Sequence, residues 1–223
     1  MQSSRNTTNL YTKQLNMNEI LSDGQYDDIS NLIYETDRYI YPALFYGESD
    51  PRNNALHILP HILKLGTDSM FNKERLFVGL EEYKIVGLIL WIKGTLYWDA
   101  DNFMLIASKL GIDLLKSNVY AVKDSYIEER YTIGNNSHIS IINVAVHPEY
   151  RGQGVGHHLL KEFIEEHKEE TMELCVLADN APAISLYQNC GFKIASQTSG
   201  FSLGDDKPMC LDMIRHNNSV VDK

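Results

Sequence analysis

The most informative segment of the sequence is Val144-Ala145-Val146-His147-Pro148-Glu149-Tyr150-Arg151-Gly152-Gln153-Gly154-Val155-Gly156. An apolar strand ends here, a glycine-rich turn follows, and a helix with an apolar face begins. Three alternate glycines lack Cβ atoms, so backbone N–H groups converge at a helix N-terminus in a nest that suits a pyrophosphate. The alternative is a relaxed turn without a ligand, but such a turn needs neither three alternate glycines nor an arginine.

The spacing of these glycines excludes two other kinds of phosphate site. It does not match GxxxxGK[ST], so the lysine of a P-loop is missing. It does not match GxGxxG either, and no acidic partner for a ribose follows at the required distance. A nucleotide-phosphate-binding α/β domain of either kind is therefore not predicted.

The remaining patterns predict an α/β fold with a mixed, partly parallel sheet. Strands are expected at 9–17, 75–80, 85–91, 138–146, 171–177, 192–201 and 209–214. Helices are expected at 27–41, ended by Pro42, at 55–65 with a kink at Pro60, at 103–115, after residue 154, and at 180–190. The last helix has Asn180 as N-cap and Gly191 just past its end.

Composition narrows the class of protein. The net charge of −10 argues against a nucleic-acid partner and mildly favours a cationic one. Three cysteines without a CxxC pair predict neither a disulfide framework nor a zinc site, and no metal site is expected. The apolar runs are too short to cross a bilayer, and the polar N-terminus lacks the apolar core of a signal peptide. A cytosolic protein without a membrane partner is expected.

A second motif lies downstream of the glycine turn. It runs Ala178-Asp179-Asn180-Ala181-Pro182-Ala183-Ile184-Ser185-Leu186-Tyr187, followed by Cys190-Gly191-Phe192. Together the two motifs resemble the GNAT-type N-acetyltransferase family, whose signatures are R/Q-x-x-G-x-G/A and N-x-x-A-x-x-x-Y-x-x-x-G-F. The resemblance is specific over residues 138–193, and the hairpin at 75–91 fits the family's second and third strands.

The resemblance implies a sheet that is splayed between its fourth and fifth strands and flanked by helices. It implies one domain over residues 1–223, with flexible tails at 1–8 and 216–223. The segments 25–70 and 93–137 are then expected to build the acceptor site. The co-substrate would be acetyl-CoA, with no metal, and the other partner an amine acceptor. A monomer or homodimer is expected.

The resemblance also assigns binding roles to residues. The pyrophosphate of CoA would lie against the backbone amides of Arg151, Gly152, Gln153, Gly154, Val155 and Gly156. The pantetheine arm would pair with Val144, Ala145 and Val146 as if it were an extra strand. One of these three amides would polarise the thioester carbonyl. Asn180 would hydrogen-bond the arm, which is compatible with its role as an N-cap.

Tyr187 is the expected catalytic residue. It follows Asn180 by seven residues, two helical turns, and so lies on the same helix face. A phenol with a pKa of about 10 is a weak acid towards a thiolate of about 8.5. The expected role is therefore chiefly a hydrogen bond to the developing charge on sulfur. A packing role in the core is the alternative.

The base is less clearly indicated. The family often has a glutamate on the strand before Asn180 or on the strand before the glycine turn, and those places here hold Cys175 and roughly Ser140. His138 would act through water, be structural or be merely exposed. His157 and His158 are expected to be helix-face residues or neighbours of the phosphates, not catalysts. An acceptor with a lowered amine pKa, or a chain of waters, would remove the need for a base.

The predicted function is transfer of an acetyl group from acetyl-CoA to the amine of an unidentified small molecule or peptide. The amine would attack directly in a ternary complex, because the thioester is already activated. The alternative is an acyl-CoA-binding sensor or pseudoenzyme. The missing carboxylate favours that alternative, and the presence of Tyr187 opposes it.

Overall fold

The structure is a computed structural model that describes residues 10–66, 70–96, 98–128 and 137–217. Within these ranges seven strands form one sheet in the order β1-β2-β3-β4-β5-β7-β6. The strands are β1 (Leu10–Gln14), β2 (Leu76–Glu81), β3 (Lys84–Lys93), β4 (Ile139–Val146), β5 (Met172–Leu177), β6 (Lys193–Ser199) and β7 (Met209–Arg215). The mixed α/β fold with a partly parallel sheet is thus confirmed.

Helices pack on both faces of this sheet. They are α1 (Asp23–Tyr34), α2 (Ile40–Leu44), α3 (Pro51–Leu65), α4 (Ala100–Lys109), α5 (Lys116–Val122), α6 (Val155–Glu166) and α7 (Ala181–Asn189). A π-helical turn, Lys123–Glu128, continues α5, and short 3-10 turns precede β2 and follow β4. None of the helices in the described ranges has the length and apolar character that crossing a membrane requires.

The sheet opens between β4 and β5. This is its parallel pair, and the pairing joins Ile139–Ile141 to Met172–Leu174 in the described register. Beyond Ile141 and Leu174 the strands diverge, whereas β5 remains paired with β7 as far as Leu177. The predicted splay between the fourth and fifth strands is confirmed.

Two hydrophobic cores lie on opposite faces of the sheet. The first joins α1, α2, α3, α4 and α5 to β2, β3 and the splayed end of β4. The second lies under α6 and α7 and includes side chains from β2, β3, β4, β5 and β7. Only this second core draws on many strands from both sides of the splay, so within the described residues it is the main connection between the two halves.

The N-terminal helix differs from its prediction. One helix was expected over 27–41, but α1 begins at Asp23, where Ser22 and Gln25 form a capping box. The chain leaves the helix after Tyr34, because the Asp37 carboxylate accepts the N–H groups of Tyr39 and Ile40 and starts α2. Pro42 does not end a helix; it lies in the first turn of α2, where its missing N–H costs no hydrogen bond.

Most other predicted elements agree with the structure. The hairpin β2–β3, the strands β1, β4, β5, β6 and β7, and the helices α6 and α7 lie where they were expected. Helix α3 ends at Leu65 as predicted, with Gly66 as its C-cap, but it starts earlier, at Pro51, with Asp50 as N-cap. The helix expected at 103–115 is confirmed only in its first part: α4 ends at Lys109, and α5 starts at Lys116. The predicted tails lie largely outside the described residues.

Candidate functional site

The splay between β4 and β5 opens into two adjoining cavities. The larger has a volume of about 540 Å³ and lies between the end of β4, the turn at residues 151–156 and the start of α7. The smaller, about 100 Å³, lies deeper, between the splayed strands and the segment that connects α1 to α2. Residues on both walls belong to both cavities, so the two adjoin, and together they are called the channel below. These shared residues are Thr36, Val144, Asn180 and Ala183.

The glycine turn, residues 151–156, borders the larger cavity. Gly152 and Gly154 have φ angles of +72° and +84°, and a Cβ atom built on either would meet no other atom within 4 Å. Gly154 directly precedes α6, so the N-terminus of this helix, whose first N–H groups have no partner within the helix, borders the cavity. Both residues therefore leave open space where an anion can approach the backbone.

Gly156 also has a packing role, which the sequence patterns did not indicate. A Cβ atom at this position would lie 3.3 Å from Val146 Cγ2 and 3.5 Å from Leu186 Cδ2. The missing side chain thus lets α6 pack closely against β4 and α7. Gly156 still lines the larger cavity, but its immediate contribution is to helix packing.

Arg151 is held at the rim of the larger cavity by two contacts. Its Nε donates to the Val146 carbonyl oxygen at 2.9 Å, and its Nη2 lies 3.3 Å from Glu35 Oε2. Glu35 also contacts Arg52, at 3.3 Å. The guanidinium is half-exposed, so it can still face an anion in the cavity, where Glu35 would compete for it.

A bulge in β4 marks the start of the splay. Leu90 pairs with Asn143 and Trp91 with Ile141, which leaves Ile142 as an extra residue. Next to it, the buried Asn143 accepts a hydrogen bond from the Tyr41 hydroxyl and donates one to Thr36 Oγ1, both at 2.7 Å. Asn143 thereby fixes the α1–α2 connection against the strand. Sequence patterns did not indicate this role; a lone asparagine in an apolar strand is the signal that was available.

Asn180 caps α7 and also lines the channel. Its side chain accepts from the Ala183 N–H at 3.3 Å, so the N-cap prediction is confirmed. Its neighbour Asp179 forms an ion pair with Arg38, which ties the α1–α2 connection to the opposite side of the splay.

Tyr187 lies at the inner end of the channel, on the same face of α7 as Asn180. It is 7 % exposed and lines the smaller cavity. Burial raises the pKa of its phenol well above the ordinary value, and the nearby Cys175 thiol acts in the same direction. The hydroxyl is therefore neutral over the working range of pH and able to donate a hydrogen bond.

The channel brings the predicted residues together with one exception. Its walls include Val144, Ala145, Val146, Arg151, Gly152, Gly154, Val155, Gly156, Asn180 and Tyr187. Gln153 is not part of these walls; its side chain turns back to the Glu149 carbonyl oxygen. His157 lines the larger cavity, and Cys175 lines the smaller one.

Ser140 and His138, two positions considered for the base, both contact Glu173, which the sequence patterns did not indicate. Ser140 Oγ donates to Glu173 Oε1 at 2.7 Å, and His138 Nδ1 lies 3.4 Å from Glu173 Oε2. The strand period could have indicated Glu173, because it shares a face of β5 with Cys175.

Across the described ranges, no group of three or more His, Cys, Asp or Glu side chains is arranged to hold a metal ion.

Comparison with known proteins shows the family. The profile described as "Acetyltransferase (GNAT) family" matches residues 39–192, which is more than half of the chain. The chain therefore belongs to the GNAT acetyltransferase family.

Curated and solved relatives agree with this placement. A stretch of 60 residues is 42 % identical to the [ribosomal protein bS18]-alanine N-acetyltransferase of Escherichia coli K12; it covers 26 % of this chain and 40 % of that protein. The chain thus matches about two fifths of this relative's length. An N-acetyltransferase from Staphylococcus aureus Mu50 superposes with a TM-score of 0.59 at 17 % identity, covering 92 % of this chain and 99 % of that one. The NatC complex bound to Gag peptide and CoA gives a TM-score of 0.50 at 14 % identity, covering 93 % and 98 %. At such identities the structural likeness concerns the fold.

Proposed function

We propose that this chain is an acetyl-CoA-dependent N-acetyltransferase, which transfers an acetyl group to the amine of a small molecule or peptide. The observation that carries the proposal is the channel that the two adjoining cavities form in the splay. An open glycine turn lies at its outer end, and a neutral tyrosine hydroxyl lies at its inner end. An elongated thioester with an anionic head group has the shape and charge that suit this channel.

Acetyl-CoA would bind along β4. Its pyrophosphate would accept hydrogen bonds from the amides of the glycine turn, supported by Arg151. The pantetheine arm would pair with the edge of residues 142–146, which is not paired with β5 in the described structure. Asn180 would contact the arm from the opposite wall. The structure of the NatC complex contains CoA, which supports CoA as a ligand of this fold.

The chemistry needs no covalent intermediate on the protein. The acceptor amine attacks the thioester carbonyl carbon, and an amide of Val144, Ala145 or Val146 stabilises the oxyanion. As the C–S bond breaks, the Tyr187 hydroxyl donates a hydrogen bond to the departing sulfur. The raised pKa of this phenol suits a hydrogen-bond donor better than a proton source.

The acceptor would reach the smaller cavity past the α1–α2 connection. Thr36, Asp37, Tyr39 and Ile40 line this cavity together with Tyr126. This arrangement supports the segments 25–70 and 93–137 as walls of the acceptor site, as far as they are described. The curated relative acts on an alanine of a ribosomal protein, which supports a peptide amine as one candidate acceptor.

We further propose a single cytosolic domain over residues 1–223, acting as a monomer or homodimer.

Turnover of acetyl-CoA with a panel of amines tests the proposal. The panel would contain polyamines, amino acids, aminoglycosides and peptides with free N-termini, and release of the CoA thiol would be measured. Release that depends on one of these amines is the expected result. Tight acetyl-CoA binding without release for any member would favour the alternative, a sensor or pseudoenzyme. That alternative is supported by Cys175, which occupies a position where the family often has a glutamate.

Acetyl-CoA is expected to stabilise the folded protein. A ligand at a hundred times its dissociation constant raises the free energy of unfolding by about 2.7 kcal/mol. For a chain of this size that corresponds to a rise in melting temperature of roughly 5–10 °C. Thermal melts with and without millimolar acetyl-CoA measure this shift, and an unchanged melting temperature would contradict CoA binding altogether.

Replacing Glu35 by glutamine is expected to strengthen CoA binding. The substitution frees Arg151 from a competing carboxylate and removes a negative charge near the pyrophosphate. Because exposed ion pairs are worth ~1 kcal/mol or less, the gain should be about twofold to fivefold and should shrink in high salt. Titration calorimetry measures the affinity. Glu149→Gln is the matched control, since it removes the same charge from a residue paired with Lys84 and not with Arg151.

A further inference from the structure

The connection between α1 and α2, residues 35–39, forms one wall of the channel. Its Thr36 lines both cavities, and its Asp37 and Tyr39 line the smaller one. On the opposite wall, Asn180 also lines both cavities. A ligand that extends from one cavity into the other must therefore pass between Thr36 and Asn180.

Buried hydrogen bonds attach this connection to β4. The Asn143 side chain donates to Thr36 Oγ1 at 2.7 Å, and the Thr36 hydroxyl donates to the Ile33 carbonyl oxygen at 2.6 Å. Beyond the connection, the Tyr41 hydroxyl donates to Asn143 Oδ1 at 2.7 Å. Asn143 is 7 % exposed and Tyr41 1 %. Breaking these bonds would leave buried polar groups unpaired, which is costly, so we expect this attachment to stay closed.

The attachment to the opposite wall is of a weaker kind. Arg38 forms an ion pair with Asp179, which directly precedes Asn180. The two side chains are 58 % and 62 % exposed, so water can replace either partner at little cost. The guanidinium also lies over the Tyr39 ring, 5.2 Å from its centroid, which holds Arg38 on the side of the connection. The connection is thus fixed firmly to β4 and reversibly to the segment between β5 and α7.

We propose that the Arg38–Asp179 ion pair is a latch, which closes the junction of the two cavities over bound CoA and opens to admit and release it. This inference rests on the proposed function, which supplies CoA as the ligand. Without the ion pair, the walls at Thr36 and Asn180 separate more readily. Entry and release both need that separation, so loss of the latch should accelerate both steps and change their ratio, the dissociation constant, much less.

The rate constants for CoA association and dissociation test the latch, measured by surface plasmon resonance on the immobilised protein. Arg38→Gln and Asp179→Asn should each raise the dissociation rate constant about twofold to fivefold, the range that an exposed ion pair can supply. The association rate constant should rise by a similar factor. The double variant should exchange CoA no faster than either single variant, because the second substitution has no ion pair left to break.

A charge exchange and a matched control complete the experiment. Arg38→Asp combined with Asp179→Arg recreates the ion pair in reverse and should restore slow exchange. Lys64→Gln removes another exposed ion pair, with Asp23, that joins α3 to α1 outside both cavities, and should leave the rates of the parent unchanged. Because all four side chains lie at the surface, every variant should keep the melting temperature of the parent within a few degrees.

The outcomes separate the latch from the proposed function. Opposite effects of Arg38→Gln and Asp179→Asn on CoA affinity would overturn the latch, because each charge would then act on the CoA anion directly. Parent rates in both single variants, or additive effects in the double variant, would also overturn it and leave CoA binding and the acetyltransferase function standing. A parent that binds no CoA would overturn the proposed function, and this inference with it.

Discussion

Gly154→Val is expected to weaken CoA binding by roughly 10²-fold or more while leaving the protein folded. Gly154 has a φ of +84°, and the position of its Cβ faces the open cavity. A valine there would occupy the space through which a pyrophosphate reaches the backbone N–H groups. Losing two charge-assisted hydrogen bonds at ~1.5–3 kcal/mol each gives a factor of this size. Calorimetric titration with CoA measures it.

The fold will also lose some stability, because a non-glycine residue at positive φ is strained by ~1–2 kcal/mol. Gly94→Val is the matched control for this effect. Gly94 has a φ of +85°, its Cβ would also meet no atom within 4 Å, and it lies outside both cavities. The two variants should melt at similar temperatures but differ in CoA affinity. Equal affinities for CoA would mean that the glycine turn connects β4 to α6 without binding the ligand.

Tyr187→Phe is expected to lower turnover by ~10²-fold at unchanged acetyl-CoA affinity. The substitution removes one hydroxyl and leaves the ring to pack against Phe192, whose centroid lies 6.0 Å away. The lost hydrogen bond acts on charge that appears on sulfur only as the thioester breaks, so its effect belongs to the transition state. Steady-state kinetics on any accepted amine, together with direct binding of acetyl-CoA, separate kcat from affinity.

Tyr26→Phe controls for the loss of a buried tyrosine hydroxyl. Tyr26 is 6 % exposed in α1 and lies outside both cavities, so this variant should turn over as the parent does. If Tyr187→Phe also matched the parent, Tyr187 would be a packing residue. A large loss would argue against the sensor alternative, since a sensor has no transition state to stabilise.

The C-terminal half of the fold was predictable because its signals are local. Asn180 marks the start of α7 by side-chain capping, and Gly191 marks its end by its backbone conformation. The glycine turn indicates both the end of β4 and the start of α6. The break between α1 and α2 was not predictable from apolar spacing, which continues through it. There the Asp37 carboxylate forms hydrogen bonds that compete with those of a continuous helix.

The candidate site was predictable where the family motifs cover it. The motifs specify the backbone of the glycine turn and the positions of Asn180 and Tyr187. They do not specify contacts between distant segments, such as Arg151 with Glu35 or Asn143 with Thr36, which lie more than 100 residues apart in the chain. The contact of Glu173 with Ser140 is of the same kind, since it depends on the register of β5 against β4.

The core beneath α6 and α7 controls the width of the channel. The strand pairs that join β4 to β5 are few, so the separation of the two halves of the sheet depends on the side chains packed between them. Leu174, Met213 and Tyr187 are among the side chains that fill this space on the α6–α7 side. Their volume therefore sets the width of the gap between β4 and β5. Enlarging or trimming Leu174 or Met213 would change which acyl groups fit, although neither side chain lines the channel.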